Sequence, residues 1–387
     1  MVQVRVAHTC ELDDSAIAIR DIVERLDLAT LSSNAVGVVT CEKEFIDNGI
    51  MQVICANLPF ECVGCTTTLS AVPGAADPQQ LNVLVLSGDD ISFSLGLSTP
   101  FGTEHESCVH NLYNATRSRL DATPSMSLVF APMLFDAPID DERMATLISE
   151  AVGDIPVFGT LACNYVDGEY IDNGILHNGE YYSDRAAMIL IGGDIHPRFT
   201  LASIPENRIL KQKAVITKSR GSLLIEVNDK PVLEYLESLG LIINGQFVGA
   251  HAYPFIIHKG NGEEASTRTI YGVTPEGYLK CGRKMPLGAS LSIGAQDIAA
   301  VRITVEKVLS FIDDEKDINA AIFFSCHSRS VTLGLEERLE IDLIEKKLGD
   351  KAPYMFAYSG GEICPYTLGS GKYRNCFHSD TIVACIL

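Results

Sequence analysis

The chain has 387 residues, of which 47% are hydrophobic, and its 30 Lys and Arg against 50 Asp and Glu give a formal net charge of −20. This charge argues against a nucleic-acid binder, which needs a basic face to displace counterions from phosphate, and against docking on anionic lipid. The hydrophobic content is ordinary for a packed core and excludes a disordered chain, while the length predicts two or three domains.

One order of elements starts at the N-terminus and recurs along the chain. It consists of an opening strand, an amphipathic helix, a second strand, a second helix, a third strand ending in small residues, and a closing strand. The strands alternate or are continuously apolar, and the helices show apolar residues at helical spacing with acidic first turns. In the first copy we predict these elements at residues 2–7, 16–26, 35–39, 47–58, 60–66 and 81–86.

The second copy repeats this order with little residue identity. Its helices are predicted from about Glu104 to Leu120 and from the acidic stretch at 140–143 onwards. Its strands are predicted at 93–98, 127–131, 155–160 and 186–191. The third strand and the closing strand of each copy are expected to form a longer hairpin.

Residues 199 to 288 interrupt the pattern. A strand at 223–227 is followed by a helix that Pro231 opens and Gly240 ends. Short strands broken by glycines are predicted at 255–258, 269–273 and 278–281. This stretch, 211–288, is predicted to be a β-rich insert, and the basic, polar run at 211–213 suggests a domain boundary near residue 210.

The third copy follows the insert and closes the chain. We predict its elements at 289–295, 297–312, 320–325, from 334 onwards, 354–361 and 381–387. Alternating strands and helices predict an α/β fold, in which three repeated βαβαββ-type units form layered mixed sheets flanked by helices. We therefore expect two domains, with two units in residues 1–210 and the insert plus the third unit in residues 211–387.

Twelve cysteines lie mostly inside apolar runs, as Cys55 and Cys385 do. Such cysteines are typical of small buried hydrophobic residues in a reducing compartment. No basic and apolar signal peptide begins the chain, and no apolar run approaches the roughly 18 residues that span a bilayer. These features predict a cytoplasmic protein that does not enter a membrane.

The most specific motifs are FSCHSR at 324–329 and YSGGEI at 358–363. With segments 158–160, 173–174, 186–191, 228–231 and 235–236, and with Asn375 and the terminal strand, they resemble the FIST domain family of intracellular sensory proteins. The resemblance runs from about residue 30 to the end and includes the family's Cys-x-x-Arg and Gly-Glu-Ile segments. The family more often has an aromatic-Gly pair before Glu-Ile, where Ser359-Gly360-Gly361 stands here, which affects the expected pocket shape.

The resemblance implies a FIST N-type domain at 1–210 and a FIST C-type domain at 211–387. It implies a stand-alone sensory protein without enzymatic activity that binds a small molecule, such as an amino acid, and signals to a separate output protein. Some members of the family are reported to bind haem, so haem is a possible cofactor. A haem gas sensor is therefore one alternative function, but no Cys-x-x-Cys-His motif is present for covalent attachment and the nine histidines cannot be ranked.

The ligand site is expected around Cys326 and Arg329, just past a buried strand, and around Glu362, after two glycines. Arg329 could bind a ligand carboxylate, Cys326 could be a wall or a thiolate activated by Arg329, and Glu362 could accept a hydrogen bond from an amine. Alternatively, Arg329 pairs with Glu362 and Cys326 only packs. Our predicted ligand-binding residues are Cys326, Arg329, Tyr358, Gly361, Glu362, Thr160 and Asn164.

Cys62 and Cys65 have Cys-x-x-Cys spacing, which suggests a redox pair or half of a zinc site. No second half exists in the sequence, so we predict no metal site. Redox pairs of this spacing sit at a helix N-terminus, whereas this pair ends an apolar strand. A thiol redox protein that uses Cys62 and Cys65 is therefore kept as the second alternative function.

Overall fold

The computed structural model describes residues 2–102, 105–134, 141–258, 265–313, 318–367 and 373–387. The first ninety residues contain three helices and six strands. Their bounds are β1 Gln3–Thr9, α1 Ser15–Leu26, β2 Ala35–Cys41, α2 Glu44–Asp47, α3 Ile50–Ala56, β3 Glu61–Thr66, β4 Ser70–Val72, β5 Ala75–Asp77 and β6 Leu81–Ser87.

The next hundred residues continue with the same kinds of element. Their bounds are β7 Ile91–Leu97, α4 His105–Arg117, β8 Pro124–Ala131, α5 Asp141–Val152, β9 Val157–Leu161, β10 Tyr165–Val166, β11 Glu169–Tyr170, β12 Ile175–His177, β13 Glu180–Tyr182 and β14 Ala187–Gly193. Glu104 and Asp140, where the sequence predicts the starts of two helices, lie outside the described residues.

Strand β15, Arg198–Ala202, precedes the β-rich insert. The insert contains β16 Ala214–Arg220, β17 Leu223–Val227, β18 Lys230–Pro231, α6 Val232–Ser238, β19 Ile242–Ile243, β20 Gln246–Phe247, β21 Phe255–His258, β22 Ser266–Arg268, β23 Ile270–Val273, β24 Leu279–Cys281 and β25 Ser290–Ile293. After it come α7 Ile298–Asp313, β26 Ala321–Cys326, α8 His327–Leu333, α9 Leu339–Leu348, β27 Tyr354–Ser359, β28 Gly361–Thr367, β29 Tyr373–His378 and β30 Ile382–Ile386.

Three six-stranded mixed sheets contain the same local order of four strands. The orders are β1-β6-β2-β3, β7-β14-β8-β9 and β15-β30-β26-β27, and in each the last two strands are parallel. The predicted architecture of layered mixed sheets with flanking helices is confirmed. The number of sequence repeats stays a prediction.

The strand predicted to open the third copy is wrong. Residues 290–293 form β25, which pairs with β16 and β21 inside the insert. Strand β15 takes the opening position instead, because it pairs antiparallel with β30 along five residues. The insert therefore lies between β15 and α7, within the third group of elements.

The hairpin predicted between each third strand and its closing strand is also wrong. The third and closing strands do not pair, since the second strand lies between them in each sheet. A short hairpin follows each third strand instead and extends a different sheet: β4 pairs with β27, β12 with β3, and β28 with β9. Each of the three sheets is thus extended by a hairpin that follows the third strand of another sheet, which joins them.

The sheets bury one shared core. Val38, Phe130, Ile189 and Phe324 come from all three sheets and belong to one cluster of buried side chains. Three separate clusters lie between the sheets and their helices. The insert has its own core and its own sheet, in the order β22-β21-β25-β16-β17-β24-β23.

Local signals explain where several helices begin and end. Asp14 caps α1 by accepting from the backbone N–H groups of Ala16 and Ile17. The single helix predicted at 47–58 is broken at Gly49, whose φ of 76° is left-handed. Within the described ranges no helix combines the length and apolar character of a bilayer span.

Candidate functional site

The third strands of the three sheets end beside one another. The backbone N–H of Cys163, just past β9, donates to the carbonyl of Thr66 at the end of β3 (2.9 Å). The backbone N–H of Gly360, just past β27, donates to the carbonyl of Leu161 at the end of β9 (2.9 Å). The carboxyl ends of parallel strands are where α/β folds place ligand-contacting side chains, so this junction is the candidate site.

Glu362 is the most unusual residue at the junction. Its side chain is fully buried, and Oε1 accepts a hydrogen bond from Ser359 Oγ (2.7 Å). Its Oε2 has no partner among the described residues. Burial raises the pKa of Glu362 well above its ordinary value, and the nearby Asp380 carboxylate adds to this effect.

Gly361 lets Glu362 approach the neighbouring strand. A Cβ at this position would lie 2.3 Å from Cζ of Phe377, and the backbone φ is 151°. Thr160, which faces Glu362 across the β9–β28 ladder, donates from Oγ1 to the carbonyl of Gly361 (3.2 Å). The predicted glycine thus gives the close approach that a side chain would prevent.

Asp380 is a second buried carboxylate at the junction. It occupies a left-handed backbone conformation with φ of 54° and accepts hydrogen bonds from Ser328 Oγ (2.7 Å) and Thr269 Oγ1 (3.1 Å). Burial raises its pKa, while these two hydroxyl donors oppose that rise. Thr269 comes from the insert, so the insert forms part of this site.

Arg283 supplies the positive charge that the site needs. Its Nη2 donates to the carbonyl of His378 (3.0 Å) and to Ser379 Oγ, and its guanidinium lies 3.5 Å from the ring centroid of Phe377. The buried Nη1 has no partner among the described residues. The positive charges of Arg283 and Arg329 both lower the pKa of Glu362 in part, against the larger rise from burial.

Arg283 was not among the residues predicted from the sequence. It follows the short strand predicted at 278–281 and a glycine, in a stretch assigned to the insert. The available signal was the need for a basic residue to hold a carboxylate in a chain of charge −20. Any arginine could meet that need, and the motif position favoured Arg329.

Arg329 makes its hydrogen bonds away from the carboxylates of the junction. It is buried on the helix side of the third sheet, where Nε and Nη2 donate to Glu340 Oε1 (3.1 and 2.7 Å) and Nη2 donates to Thr304 Oγ1 (2.9 Å). The alternative pairing of Arg329 with Glu362 is wrong for the same reason. Tyr358 also faces the helices, and its hydroxyl donates to the carbonyl of Glu337 (3.0 Å).

Cys326 does lie at the junction, but its thiol is not activated. Its Sγ lies 3.3 Å from Ser328 Oγ, whose proton goes to Asp380. Burial raises its pKa, and the carboxylates of Glu362 and Asp380 raise it further. Arg329 therefore does not make Cys326 a thiolate, and Cys326 is a neutral wall of the site.

Asn164 lies in the loop between β9 and β10, near the same junction. Asn164 is 5% exposed, and its backbone carbonyl accepts a hydrogen bond from the backbone N–H of Ile171 (3.1 Å). This bond closes the β10–β11 hairpin. The structure thus brings Cys326, Gly361, Glu362 and Thr160 together, and places Asn164 at the base of the adjoining hairpin.

Aromatic rings pack beside the junction. The His327 ring lies 4.6 Å from the Tyr165 ring, and its Nδ1 is 3.1 Å from the Tyr170 hydroxyl. Tyr170 in turn contacts Tyr271, which contacts His251. Burial lowers the pKa of His327 to about 3 and that of His251 to about 4, so both imidazoles are neutral at physiological pH.

Cys62 and Cys65 do not meet. Both lie within β3, where residues three apart point to opposite faces, and they belong to different core clusters. Burial raises the pKa of Cys65 to about 12, and the neighbouring Cys55 thiol together with burial raises the pKa of Cys62 well above its ordinary value. A disulfide between Cys62 and Cys65 would break this strand, which contradicts the predicted redox pair.

Two histidines each have one ring nitrogen in a hydrogen bond. Nδ1 of His327 is taken by Tyr170, and Nε2 of His378 bonds the carbonyl of Cys364 (3.1 Å). Within the described part of the chain, no three His, Cys, Asp or Glu side chains form a group that could hold a metal ion. Haem binding stays a prediction from the resemblance.

Comparisons with known proteins identify two family models along the chain. A FIST N domain model matches residues 35–230, and a FIST C domain model matches residues 232–365. No curated protein matches the sequence. The crystal structure of cyanuric acid hydrolase from A. caulinodans aligns with 9% identity and a TM-score of 0.37, covering 100% of this chain and 99% of that chain.

Proposed function

The chain belongs to the FIST family, whose domains are sensory domains implicated in signal transduction, and we propose that it senses a small ligand bound at the strand junction. The observation that carries this proposal is the pair of buried, unpartnered polar atoms, Oε2 of Glu362 and Nη1 of Arg283. Leaving a buried polar group without a hydrogen bond costs about 1–3 kcal/mol. A ligand that forms a hydrogen bond with each of the two atoms would recover that free energy.

The two unpartnered atoms define the chemistry of the ligand. Glu362 needs a hydrogen-bond donor, and a ligand ammonium group satisfies it best once the carboxyl has lost its proton. Arg283 donates and needs an acceptor, which a carboxylate supplies. A compact zwitterion with an amino and a carboxylate group, such as an amino acid, therefore matches the site.

The proposed contacts differ from the sequence prediction in two respects: Arg283 takes the place of Arg329, and Tyr358, which faces the helices, is left out. Cys326, Gly361 and Thr160 stay as walls, and Asn164 stays as a contributor from the adjoining hairpin. Arg283 replaces Arg329, because the donors of Arg329 are used by Glu340 and Thr304. The ligand thus contacts the second sheet through Glu362, the third sheet through Cys326, and the insert through Arg283.

The proposed signal depends on the ligand lying between the insert and the hairpin β28–β29. Thr269 and Arg283 belong to the insert, whereas Glu362 belongs to the hairpin β28–β29. A ligand that bridges them binds more tightly to one arrangement of insert and sheet than to another, and so shifts their populations. We propose that a separate output protein in the cytoplasm recognises the favoured arrangement.

Binding should be coupled to proton release. Burial raises the pKa of Glu362, so the free site keeps its proton to a higher pH than an ordinary glutamate, and pairing with an ammonium group favours the ionised form. Titration calorimetry with each of the twenty amino acids, repeated in buffers of different ionisation enthalpy, measures both affinity and released protons. We expect at least one amino acid to bind, with tighter binding as the pH rises.

The variant Glu362→Gln tests the contact with matched controls. Losing a charged hydrogen bond costs about 1.5–3 kcal/mol, so we expect roughly ten- to hundredfold weaker binding and no proton release. Glu276→Gln makes the same chemical change on an exposed residue and should bind as the wild type does. Equal binding by the Glu362→Gln and Glu276→Gln variants would remove Glu362 from the site.

A further inference from the structure

Two cysteines face each other across the hairpin β28–β29. In this antiparallel ladder Cys364 lies directly opposite Cys376, and neither is in a disulfide. Directly opposed residues have side chains on the same face and Cα atoms about 4.5 or 5.5 Å apart, and a disulfide needs about 4.4–6.8 Å. We propose that Cys364 and Cys376 form a reversible cross-strand disulfide when the protein meets a hydroperoxide.

The two thiols differ in access. Cys376 is partly exposed and lines a cavity of about 440 Å³ whose other lining residues come mainly from α5, β15, β22 and the hairpin. Cys364 lies on the same face of the hairpin and is fully buried in the core shared by the sheets. Oxidation therefore begins at Cys376, and Cys364 is the resolving residue.

The reaction balances with a hydroperoxide as the oxidant. Cys376 loses its proton, its thiolate attacks the terminal oxygen and the O–O bond breaks; the leaving oxygen takes up that proton and departs as an alcohol, or as water from hydrogen peroxide, which makes Cys376 a sulfenic acid. The Cys364 sulfur then attacks the Cys376 sulfur, the S–O bond breaks, and water leaves with the Cys364 proton. Two thiols lose two electrons, and the peroxide gains them. A dithiol reductant restores both thiols by exchange.

The disulfide would restrain the strand that carries Glu362. Glu362 pairs with His378 in the same ladder, two residues from each cysteine. A covalent link between β28 and β29 suppresses local opening of this ladder. This effect concerns the hairpin itself and is independent of the proposed ligand.

Intact-mass spectrometry of the full chain tests the disulfide. After treatment with hydrogen peroxide and alkylation of free thiols, we expect a species with two unalkylated cysteines, and peptide mapping should join Cys364 to Cys376. Cys376→Ser should abolish this species. Cys385→Ser, which removes the other thiol near Cys364, should leave it unchanged.

Three results would overturn the proposal: a Cys364–Cys385 disulfide, a Cys376 oxidised only to sulfinic acid, or no oxidation at either cysteine. Amide hydrogen exchange supplies the second measurement. Exchange within Gly361–Thr367 should slow in the oxidised wild type and recover after reduction, with no change in the Cys376→Ser variant. Unaltered exchange in a protein that carries the mapped disulfide would contradict the predicted restraint on β28.

Discussion

The buried ion pair of Arg329 and Glu340 gives the sharpest prediction about stability. Their exposed fractions are 1% and 0%, and Nη2 lies 2.7 Å from Oε1. Arg329→Ala removes two hydrogen bonds to a charged acceptor and leaves Glu340 with the single donor Ser325. At about 1.5–3 kcal/mol for each charged bond, the expected loss in the free energy of unfolding is about 3–5 kcal/mol.

Urea denaturation followed by circular dichroism measures this loss as a lower midpoint at unchanged slope. Lys218→Ala is the matched control, because Lys218 pairs with Glu226 at 3.0 Å on the surface, and such a pair contributes about 0.2–1 kcal/mol. The double variant Arg329→Met with Glu340→Leu should lose less than Arg329→Ala alone, since it leaves no unpaired buried charge. A loss for Arg329→Ala below about 1 kcal/mol would refute the structural role of this pair.

Two further predictions concern the strand junction. Gly361→Ala should lower the free energy of unfolding by more than about 1 kcal/mol, because the added Cβ would meet Phe377. Gly74→Ala is the control, since its added Cβ has no neighbour within 4 Å, and it should lose less. Thermal unfolding compares the two variants, and equal losses would contradict the packing argument. The raised pKa of Glu362 means that the folded state keeps a proton that the unfolded state releases above its ordinary pKa. Glu362 therefore contributes stability that is fully present at low pH and declines as the pH rises through its unfolded and toward its folded pKa. The free energy of unfolding of the wild type minus that of Glu362→Gln should fall as the pH rises over that range. A difference that does not vary with pH would disprove the raised pKa of Glu362.

Local periodicity was enough to predict most elements of the fold. The helix at Ser15–Leu26 and the strand at Ala35–Cys41 follow directly from apolar spacing and an acidic cap. The same spacing cannot say which sheet a strand joins. It therefore assigned residues 289–295 to the third sheet, where β15 lies in the structure, and it did not foresee that hairpins extend different sheets.

The candidate site could likewise be predicted only in part from the sequence. Motif position alone brought Cys326, Gly361 and Glu362 to the ends of neighbouring strands, because parallel strands of one sheet end at the same edge. Which charged groups pair there was decided by tertiary structure. Arg329 points to Glu340 on the helix side, whereas Arg283 arrives from an insert about eighty residues earlier.

The sequence by itself determined the class of fold, the main elements and the presence of a buried acid after two glycines, since each depends on neighbours within a few residues. The tertiary structure alone decided the order of the strands, the partners of the arginines and the separation of Cys62 from Cys65. Burial and hydrogen bonding join side chains that are distant in the chain, and no local pattern records which of several chemically equal residues will meet.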